Sequence, residues 1–549
     1  MSVKLHFNGQ TTDATKGHSL FTHAEDLGIP VPTSCNKNGK CKECVVEVIE
    51  GMECLSQPGP EERHLKGSFR LSCCSRITTD EGSVRCHTMR RGTMRIERHA
   101  FELPVHGPKW KLDPAVTRDG DRILLDGEEI DRGTGPLHGL AIDLGTTTVV
   151  VRLLNLETGE VIADSSFENP QRFGGSDVMA RIQYDTEDRT KSLQRTLMGY
   201  LGRAIQEFPV DPRSIYEVVI AGNSTMRDMF FKLSVYTIGQ SPYQSITELE
   251  VASGARKTTS LSEAARRLGL PIHPKARVYG MPIISGHVGA DAAACMLAVD
   301  IANEERVVAV MDIGTNTELI IGNRHKVLAA SCPAGPAFEG GQITFGMPGL
   351  PGAIEKVAID DDGTVNTRVI GDVAPEGICG SWLVDVMSEL LRTGRMNALG
   401  RFEDVSEFVV APSGDRPITF SESDVNALAQ AKGANVAGLQ IAVAEYGIRY
   451  SDLEVFYLAG GFGRHLNLES SKRIGLIPNI DASRIVQVGN ASVEGACIAL
   501  LSRAKRAELE DLVRRIVHCR LETHPGFFDY FVEGCQFAPV GSNEEVTES

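Results

Sequence analysis

Residues 141–151 form the first stretch of the chain whose residue types and spacing could do chemistry. They read Ala-Ile-Asp-Leu-Gly-Thr-Thr-Thr-Val-Val-Val, which predicts a strand, a tight turn and a second strand. Gly145 can adopt positive φ or approach a ligand closely. Asp143, at the end of the first strand, can hold a hydrated Mg²⁺, which borrows one or two carboxylates. The hydroxyls and amides that could bind an anion belong to Thr146, Thr147 and Thr148. Taken alone, the stretch is equally compatible with an ordinary hairpin turn.

The same pattern recurs 169 residues later, from Asp143 to Asp312. Residues 309–321 read Ala-Val-Met-Asp-Ile-Gly-Thr-Asn-Thr-Glu-Leu-Ile-Ile. An internal match at this distance indicates a duplicated domain in which each half offers one phosphate-facing turn. Two such turns facing across a cleft could clamp the phosphates of a nucleotide with a metal ion between them. The candidate residues of the second turn are Asp312, Gly314, Thr315, Asn316 and Thr317.

A glycine cluster follows an apolar strand at residues 456–463, which read Phe-Tyr-Leu-Ala-Gly-Gly-Phe-Gly. Backbone without side chains there could lie flat against an adenosine. The candidate residues are Gly460, Gly461, Phe462 and Gly463. The two turns and this cluster together resemble the phosphate-1, phosphate-2 and adenosine motifs of the actin, sugar-kinase and Hsp70 superfamily. A loop rich in Gly and Pro at residues 331–341 is interpreted as a further cleft loop, with Glu339 as a candidate to orient water.

Six of the thirteen cysteines fall within 40 residues near the start of the chain. Cys35, Cys41 and Cys44 have the spacing Cys-x5-Cys-x2-Cys, and Cys73 or Cys74 could supply a fourth ligand. Plant-type [2Fe-2S] ferredoxins use Cys-x4-Cys-x2-Cys and a distant fourth cysteine, so this loop has one extra residue. The alternatives are a structural zinc site or unliganded thiols. Zinc sites usually pair two Cys-x2-Cys knuckles, and only one is present here.

The elements around the cysteines support the ferredoxin interpretation. Residues 3–8 alternate as a strand does, and residues 18–27 have apolar residues at helical spacing. The order strand, helix, cysteine loop, strand and return cysteine resembles the β-grasp ferredoxin family over residues 1–88. Cys73 is favoured over Cys74 because Arg-Leu-Ser-Cys resembles the Arg-Leu-x-Cys that precedes this ligand in related domains.

Composition limits the class of protein. The chain has 549 residues, of which 42% are apolar and 23% charged, which predicts an ordinary globular protein of three or four domains. A net charge of −16 argues against nucleic acid and against a membrane surface as partners. No signal peptide and no apolar run of about 18 residues is evident, which predicts a cytoplasmic location. Cysteines in such a chain point to metal or redox chemistry.

The expected fold class combines α/β and α+β domains. A β-grasp [2Fe-2S] ferredoxin domain at 1–88 is followed by a linker at 89–137, and then by a duplicated actin-like (ribonuclease-H-like) ATPase domain. Its first subdomain spans 138–304, and the second, with a C-terminal segment, spans 305–549. The linker contains a basic run at 90–98 and a small hairpin, and the redox module could swing on it. Small-residue helices that start near residues 285 and 489 resemble the connecting helices of the superfamily.

The whole architecture resembles the reductive activators of corrinoid proteins. Besides the motifs above, the resemblance is carried by Glu-Asn-Pro-Gln-Arg-Phe-Gly from Glu168, Ala-Gly-Asn-Ser-Thr-Met from Ala221 and Gly-Ile-Cys-Gly-Ser from Gly377. It implies ATP, Mg²⁺ and a [2Fe-2S] cluster as cofactors. The implied activity is transfer of one electron to the Co(II) corrinoid of a methyltransferase corrinoid protein, which restores Co(I).

The implied partners are that corrinoid protein and an upstream low-potential electron donor. The linker is shorter than in larger members of the family, so a dimerisation or docking role of that region is not carried over to this chain. A homodimer remains one expected assembly. Two rival interpretations are an ATP-gated electron donor to another low-potential enzyme and a chaperone-like ATP switch whose cluster senses redox state. The ferredoxin-type cysteine loop disfavours the first, because activators of radical dehydratases share one cluster across a dimer.

Overall fold

A computed structural model describes residues 2–89, 111–347, 349–360, 362–403, 405–412 and 417–541. The basic run expected at 90–98 lies outside these residues. The described chain forms two compact units. Unit 1 holds residues 2–89, 112–281 and 499–503, and unit 2 holds residues 282–498 and 504–541. Among the described residues, no helix is both long enough and apolar enough to cross a membrane.

Unit 1 begins with a five-stranded mixed sheet crossed by one helix. Its elements are β1 (Val3–Phe7), β2 (Gln10–Ala14), α1 (Leu20–Asp26), β3 (Val45–Glu50), β4 (Phe69–Leu71) and β5 (Gly82–Thr88). The strand order is β2-β1-β5-β3-β4, with β1 and β5 parallel and the other pairs antiparallel. Val3, Leu5 and Phe7 are buried, as the alternation of apolar and polar residues in β1 predicts. This is the β-grasp arrangement expected from the sequence.

Part of the segment expected to be a linker is folded. β6 (Val116–Asp119), β7 (Arg122–Leu125) and β8 (Glu128–Arg132) form a three-stranded antiparallel sheet. β7 and β8 are joined through Asp126 and Gly127, both at positive φ. Two consecutive residues at positive φ give the turn whose twist matches that of a hairpin, and Asp-Gly is a preferred pair for it.

The rest of unit 1 is a six-stranded sheet with helices. Its first part consists of β9 (His138–Leu144), β10 (Thr148–Asn155), β11 (Val161–Glu168), α2 (Val178–Glu187) and α3 (Ser192–Glu207). Its second part consists of β12 (Ile215–Gly222), α4 (Ser224–Phe230), α5 (Ile246–Ala252), β13 (Leu261–Ala264), α6 (Ala265–Leu268) and β14 (Arg277–Gly280). The strand order is β11-β10-β9-β12-β14-β13.

The chain then builds a second six-stranded sheet with two smaller ones. It begins with α7 (Ala290–Ala298), β15 (Val308–Asp312), β16 (Thr317–Gly322), β17 (Val327–Cys332), β18 (Ala353–Ile359), β19 (Val365–Val369) and β20 (Gly377–Ile378). It continues with α8 (Gly380–Arg392), β21 (Glu407–Ala411), β22 (Ile418–Ser421), α9 (Glu422–Tyr446), β23 (Val455–Ala459) and α10 (Leu468–Arg473). It ends with β24 (Ile485–Gly489), α11 (Ala491–Leu501), α12 (Arg503–Val513), β25 (Val517–His518) and α13 (Phe527–Gly534).

The two large sheets repeat one topology. In each, three strands run as an antiparallel meander, and the first strand of the meander pairs in parallel with a later strand. The orders β11-β10-β9-β12-β14 and β17-β16-β15-β23-β24 are therefore equivalent, strand for strand. This repetition is the duplication that the internal sequence match predicts, and it places the two Asp-Gly-Thr turns at equivalent positions.

The ferredoxin-like sheet shares an apolar core with the first large sheet. Cys44, Val45 and Leu71 belong to one buried cluster with Leu193 and Leu197 of α3. Separating them would expose this apolar surface, at a cost of about 25 cal/mol per Å². The hypothesis that the redox module swings on a tether is therefore wrong for the described structure.

The small-residue helices of unit 2 cross with their backbones in contact. A Cβ on Gly495 of α11 would lie 2.0 Å from the carbonyl oxygen of Ala294 in α7. Backbone cannot yield as a flexible side chain does, so only glycine fits at this crossing.

We expect Gly495→Ala to lower the free energy of unfolding by about 1–3 kcal/mol through overpacking. The measurement is the thermal unfolding midpoint of the full chain. Gly202→Ala is the matched control, because a Cβ there would lie 3.4 Å from Pro271 Cγ, which is ordinary contact. An equal loss of stability in both variants would contradict the close crossing.

Candidate functional site

The candidate cluster ligands lie where two strands and one loop converge. Cys44 directly precedes β3, and Cys73 closely follows β4. β3 and β4 are antiparallel, with Val45 opposite Leu71, so the two cysteines come to the same end of the sheet. Their sulfur atoms are 3.3 Å apart. Cys35 and Cys41, in the loop between α1 and β3, form a second pair through a side-chain hydrogen bond.

These two sulfur pairs fit a [2Fe-2S] cluster. Such a cluster takes four cysteine ligands, two on each iron. A structural zinc site arranges four ligands around one ion. The cysteines here lie as two pairs, and two ligands on each of two irons is the arrangement of the cluster.

The loop directs amide groups at the sulfur atoms. Asn36, Lys37, Gly39 and Lys42 all have positive φ, and left-handed residues turn successive N–H groups inward. Burial alone would raise the pKa of the Cys35 thiol, but hydrogen bonds from Cys41 and from loop amides lower this pKa to about 7. Burial raises the pKa of the Cys41 thiol, although amides donate to it as well.

Cys73 is better placed than Cys74 to complete the set. Its sulfur contacts Cys44, and it receives a hydrogen bond from the amide of Gly39 in the loop. The hydrogen bond with Cys44, together with burial, raises the pKa of the Cys73 thiol. The Cys74 sulfur lies 3.7 Å from that of Cys73, and Cys74 is only half-buried. Burial raises the pKa of the Cys74 thiol to about 12.

The first Asp-Gly-Thr turn joins β9 to β10 in unit 1. The amide of Gly145 donates to the carbonyl of Thr148 at 3.0 Å, which closes the turn that also contains Thr146 and Thr147. Asn169 is fully buried and braces the turn: its Nδ2 donates to the Gly145 carbonyl at 2.8 Å, and its own amide donates to the Thr147 carbonyl at 2.6 Å. Asp143 stands at the end of β9, opposite Val150.

The second turn and the glycine cluster lie side by side in unit 2. β15 and β23 are parallel, with Asp312 opposite Ala459. A Cβ on Gly460 would lie 2.9 Å from Asp312 Oδ1 and 2.5 Å from the carbonyl oxygen of Ile313. Gly460 has φ +92°. Glycine is therefore favoured here both by the backbone conformation and by the close approach to Asp312 and Ile313. The other predicted residues of the two segments follow directly along the chain: Gly314, Thr315, Asn316, Thr317, Gly461, Phe462 and Gly463.

Sequence reasoning missed that unit 1 repeats this glycine. β12 runs parallel to β9 and ends at Gly222, opposite Leu144. Gly222 has φ +149°, and a Cβ there would lie 2.5 Å from the carbonyl oxygen of Leu144. Leu144 and Ile313 each follow the aspartate of their turn, so Gly222 and Gly460 are structurally equivalent. The shared Ala-Gly dipeptide at the two strand ends was the available signal.

Glu339, the candidate to orient water, lies beside the second turn. Thr315 Oγ1 donates to Glu339 Oε2 at 2.8 Å. The N-terminus of α8 adjoins the same loop, because a Cβ on Gly380 would lie 2.0 Å from the carbonyl oxygen of Phe338 and 3.1 Å from Phe462. The N-cap residue of α8, Cys379, makes no side-chain capping hydrogen bond, and the amides at a helix N-terminus favour a bound anion.

Comparison with known proteins identifies the domains. Residues 4–78 match the 2Fe-2S iron-sulfur cluster binding domain, residues 138–304 match the RACo middle region, and residues 306–546 match the C-terminal ASKHA domain of RACo. The chain belongs to the RACo family. The first 78 residues of this RACo-family protein thus contain a 2Fe-2S domain, and its C-terminal part is an ASKHA domain of the ATP-binding actin-like class.

Full-length relatives agree with the domain matches. The RACo-family chain is 28% identical to the corrinoid activation enzyme RamQ of Eubacterium limosum, over 93% of this chain and 95% of RamQ. It is 24% identical to the [Co(II) methylated amine-specific corrinoid protein] reductase of Methanosarcina barkeri, over 72% and 76% of the two chains. A solved reductive activator for corrinoid, iron-sulfur protein superposes with a TM-score of 0.72 at 27% identity and covers 98% of both chains. The predicted family and fold class are confirmed.

A group of neighbouring carboxylates in this RACo-family protein, of which Glu318 is buried, had no signal in the sequence. Cys295 of α7 donates to Asp312 Oδ2 at 3.2 Å. Glu318 lies opposite Asp312 in the β15–β16 ladder. Burial, then the charges of Asp291 and Asp312, raise the pKa of the Glu318 carboxyl well above its ordinary value. At the second turn of this RACo-family protein, the Glu318 carboxyl therefore holds its proton more tightly than an exposed glutamate does.

We expect Cys73→Ala to abolish the visible absorption of the [2Fe-2S] cluster and Cys74→Ala to leave it intact, because only Cys73 pairs with Cys44. The measurement is the absorption and electron paramagnetic resonance spectrum of anaerobically purified full-length protein. The reverse result would make Cys74 the ligand.

Proposed function

We propose that this protein is an ATP-dependent reductive activator of a methyltransferase corrinoid protein. It passes one electron from its [2Fe-2S] cluster to the Co(II) corrinoid and restores Co(I). The observation that carries the proposal is that the paired cysteines and the first Asp-Gly-Thr turn occur in one compact unit. The relatives named for corrinoid activation and for reduction of a Co(II) corrinoid protein support the same substrate class.

Four cysteines hold the cluster in this proposal: Cys35, Cys41, Cys44 and Cys73. A bound [2Fe-2S] cluster would supply a single electron, at about −400 mV for the plant type. The chain contributes amides that donate to the ligand sulfurs and an apolar wall, formed by Val45, Leu71 and Phe21, that keeps water from one side.

The two turns bind ATP in this proposal. Amides and hydroxyls of each Asp-Gly-Thr turn bind phosphate, and the segment 460–463 contacts the adenosine. Asp143 and Asp312 hold a hydrated Mg²⁺, which suits a hard cation that keeps most of its waters. Glu339 orients the attacking water, supported by its hydrogen bond to Thr315 within the second turn.

ATP is needed because the electron moves uphill. Each 59 mV of unfavourable potential costs a factor of ten in the equilibrium for one electron. A nucleotide shifts such an equilibrium only through its differential affinity for two states of the protein. We therefore assign ATP the role of changing how tightly this chain holds the corrinoid protein in its Co(II) and Co(I) states.

The domain borders and the remaining partners are also proposals. The borders 1–88, 89–137, 138–304 and 305–549 are supported by the ranges that the family models match. An upstream low-potential donor reloads the cluster, since each turnover removes one electron. A cytoplasmic location is supported by the thirteen cysteines, all of which are free of disulfides, as expected in a reducing compartment.

In the test, the full-length protein with its cluster reduced is mixed with a Co(II) corrinoid protein, and the visible spectrum of the corrinoid reports its reduction. We expect Co(I) to accumulate with ATP and Mg²⁺ and not without ATP. The variant Cys35→Ala, which lacks a proposed cluster ligand, should give no Co(I). Equal reduction with and without ATP would refute the activator role, and reduction of a different low-potential enzyme alone would favour the rival electron donor.

We expect Glu339→Gln to lower ATP turnover by about 10²-fold or more, the usual contribution of a positioned general base. ATP affinity should stay unchanged, because glutamine can still accept from Thr315. Turnover and nucleotide binding are measured separately. Glu407→Gln, at the exposed start of β21, is the control, and a weakened ATP affinity without loss of turnover would assign Glu339 to binding instead.

A further inference from the structure

Helix α3 presents a line of donors to the cysteine loop. Arg195 donates through a guanidinium nitrogen to the carbonyl of Lys40 at 2.8 Å. Thr196 donates through Oγ1 to the carbonyl of Lys42, also at 2.8 Å. Both acceptors are backbone groups of the loop that carries Cys41. The contacts therefore fix the main chain of the loop and do not depend on the side chains of Lys40 and Lys42.

Close approach of the helix is built into its sequence. A Cβ on Gly199 would lie 2.5 Å from Glu43 Cγ, so a larger residue would displace the Glu43 side chain from the helix. Thr196 is fully buried in this contact. A buried hydroxyl with a good acceptor, next to a glycine that makes room, indicates a specific docking surface.

The two acceptor carbonyls belong to peptide groups that also face the cluster ligands. The carbonyl of Lys40 shares its peptide with the amide of Cys41, which donates to the Cys35 sulfur. The carbonyl of Lys42 shares its peptide with the amide of Glu43, which donates to the Cys41 sulfur. In a trans peptide the C=O and N–H point in opposite directions. Each peptide is therefore held by α3 on one side and by a ligand sulfur on the other.

We infer, on the basis of the proposed cluster ligands, that Arg195 and Thr196 are positioning residues that raise the reduction potential of the cluster. Hydrogen bonds in a chain polarise one another, so a donor at the carbonyl strengthens the N–H···S bond at the other end. Such bonds stabilise the more negative, reduced cluster, and hydrogen bonds to the sulfurs are one of the factors that set its potential.

Tyr200 provides a matched comparison on the same helix. Its hydroxyl donates to the carbonyl of Val45 at 3.1 Å. The peptide after Val45 lies within β3, where Val46 pairs with Arg70 and Thr88 of the neighbouring strands. Loss of the Tyr200 hydroxyl thus removes one contact between α3 and the cysteine segment without removing support from a peptide that faces a ligand sulfur.

The test is an anaerobic redox titration of the full-length, cluster-loaded protein, in which electron paramagnetic resonance measures the fraction of reduced cluster. We expect Thr196→Val to lower the ratio of reduced to oxidised cluster at a fixed potential about threefold, which equals about 28 mV at 59 mV per factor of ten. Thr196→Ser, which keeps the hydroxyl, and Tyr200→Phe should titrate as the unaltered protein does.

Arg195→Met tests the same inference independently. Because Arg195 is exposed, this variant can be measured even if Thr196→Val does not fold. It should shift the potential in the same direction. Arg203→Met removes the same charge from the same helix, where Arg203 pairs with Glu207 at 2.9 Å, and should leave the potential unchanged.

Two results would overturn the inference. One is a bound cluster whose potential is unaltered in both Thr196→Val and Arg195→Met, and the other is an equal shift in Tyr200→Phe or Arg203→Met. Failure of the ligand assignment would look different: Cys35→Ala would keep the spectrum of the unaltered cluster, and the inference would fall with the assignment.

Discussion

The planarity of the peptide bond is the constraint on which the iron–sulfur half of this protein depends. A loop that turns its N–H groups inward to ligand sulfurs must turn the matching carbonyls outward. These outward carbonyls need hydrogen-bond partners of their own, so a surface that donates hydrogen bonds stabilises the loop. Helix α3 is that surface, and it belongs to the domain that the family models assign to the RACo middle region.

The ATPase half follows from a second constraint, the meeting of parallel strands at one edge. In each large sheet the aspartate of the turn is at or next to the end of one strand, and a glycine with positive φ is the last residue of the neighbouring parallel strand or directly follows it. A side chain at Gly222 or Gly460 would collide with the carbonyl that follows the aspartate. The duplication therefore preserved the backbone contact at each turn, while the residues after it diverged to Asn-Ser and Gly-Phe.

A continuous set of contacts joins the first Asp-Gly-Thr turn to the cysteine loop within unit 1. Asn169 bonds the turn and also caps the short helix at 170–174. Gly174, at the end of that helix, lies against Leu193 of α3, since a Cβ there would be 2.7 Å from Leu193 Cδ2. α3 contacts the cysteine loop directly and reaches the turn only through the short helix at 170–174.

The amino-acid sequence by itself determined the repeated turns, the cysteine spacing and hence the family, because these depend on local patterns of strand, glycine and ligand residues. It also singled out Glu339 on a Gly/Pro-rich loop, whereas its contact with Thr315 of the second turn came from the structure. Only the tertiary structure decided that the cysteine module is docked and not tethered, that Asn169 braces the first turn and that Cys295 contacts Asp312. These contacts join residues distant in sequence, and neither a buried threonine nor an alanine-rich helix carries a local signal of the group it meets. Hydrogen bonds to backbone carbonyls leave the least trace of all, because every residue type offers the same acceptor.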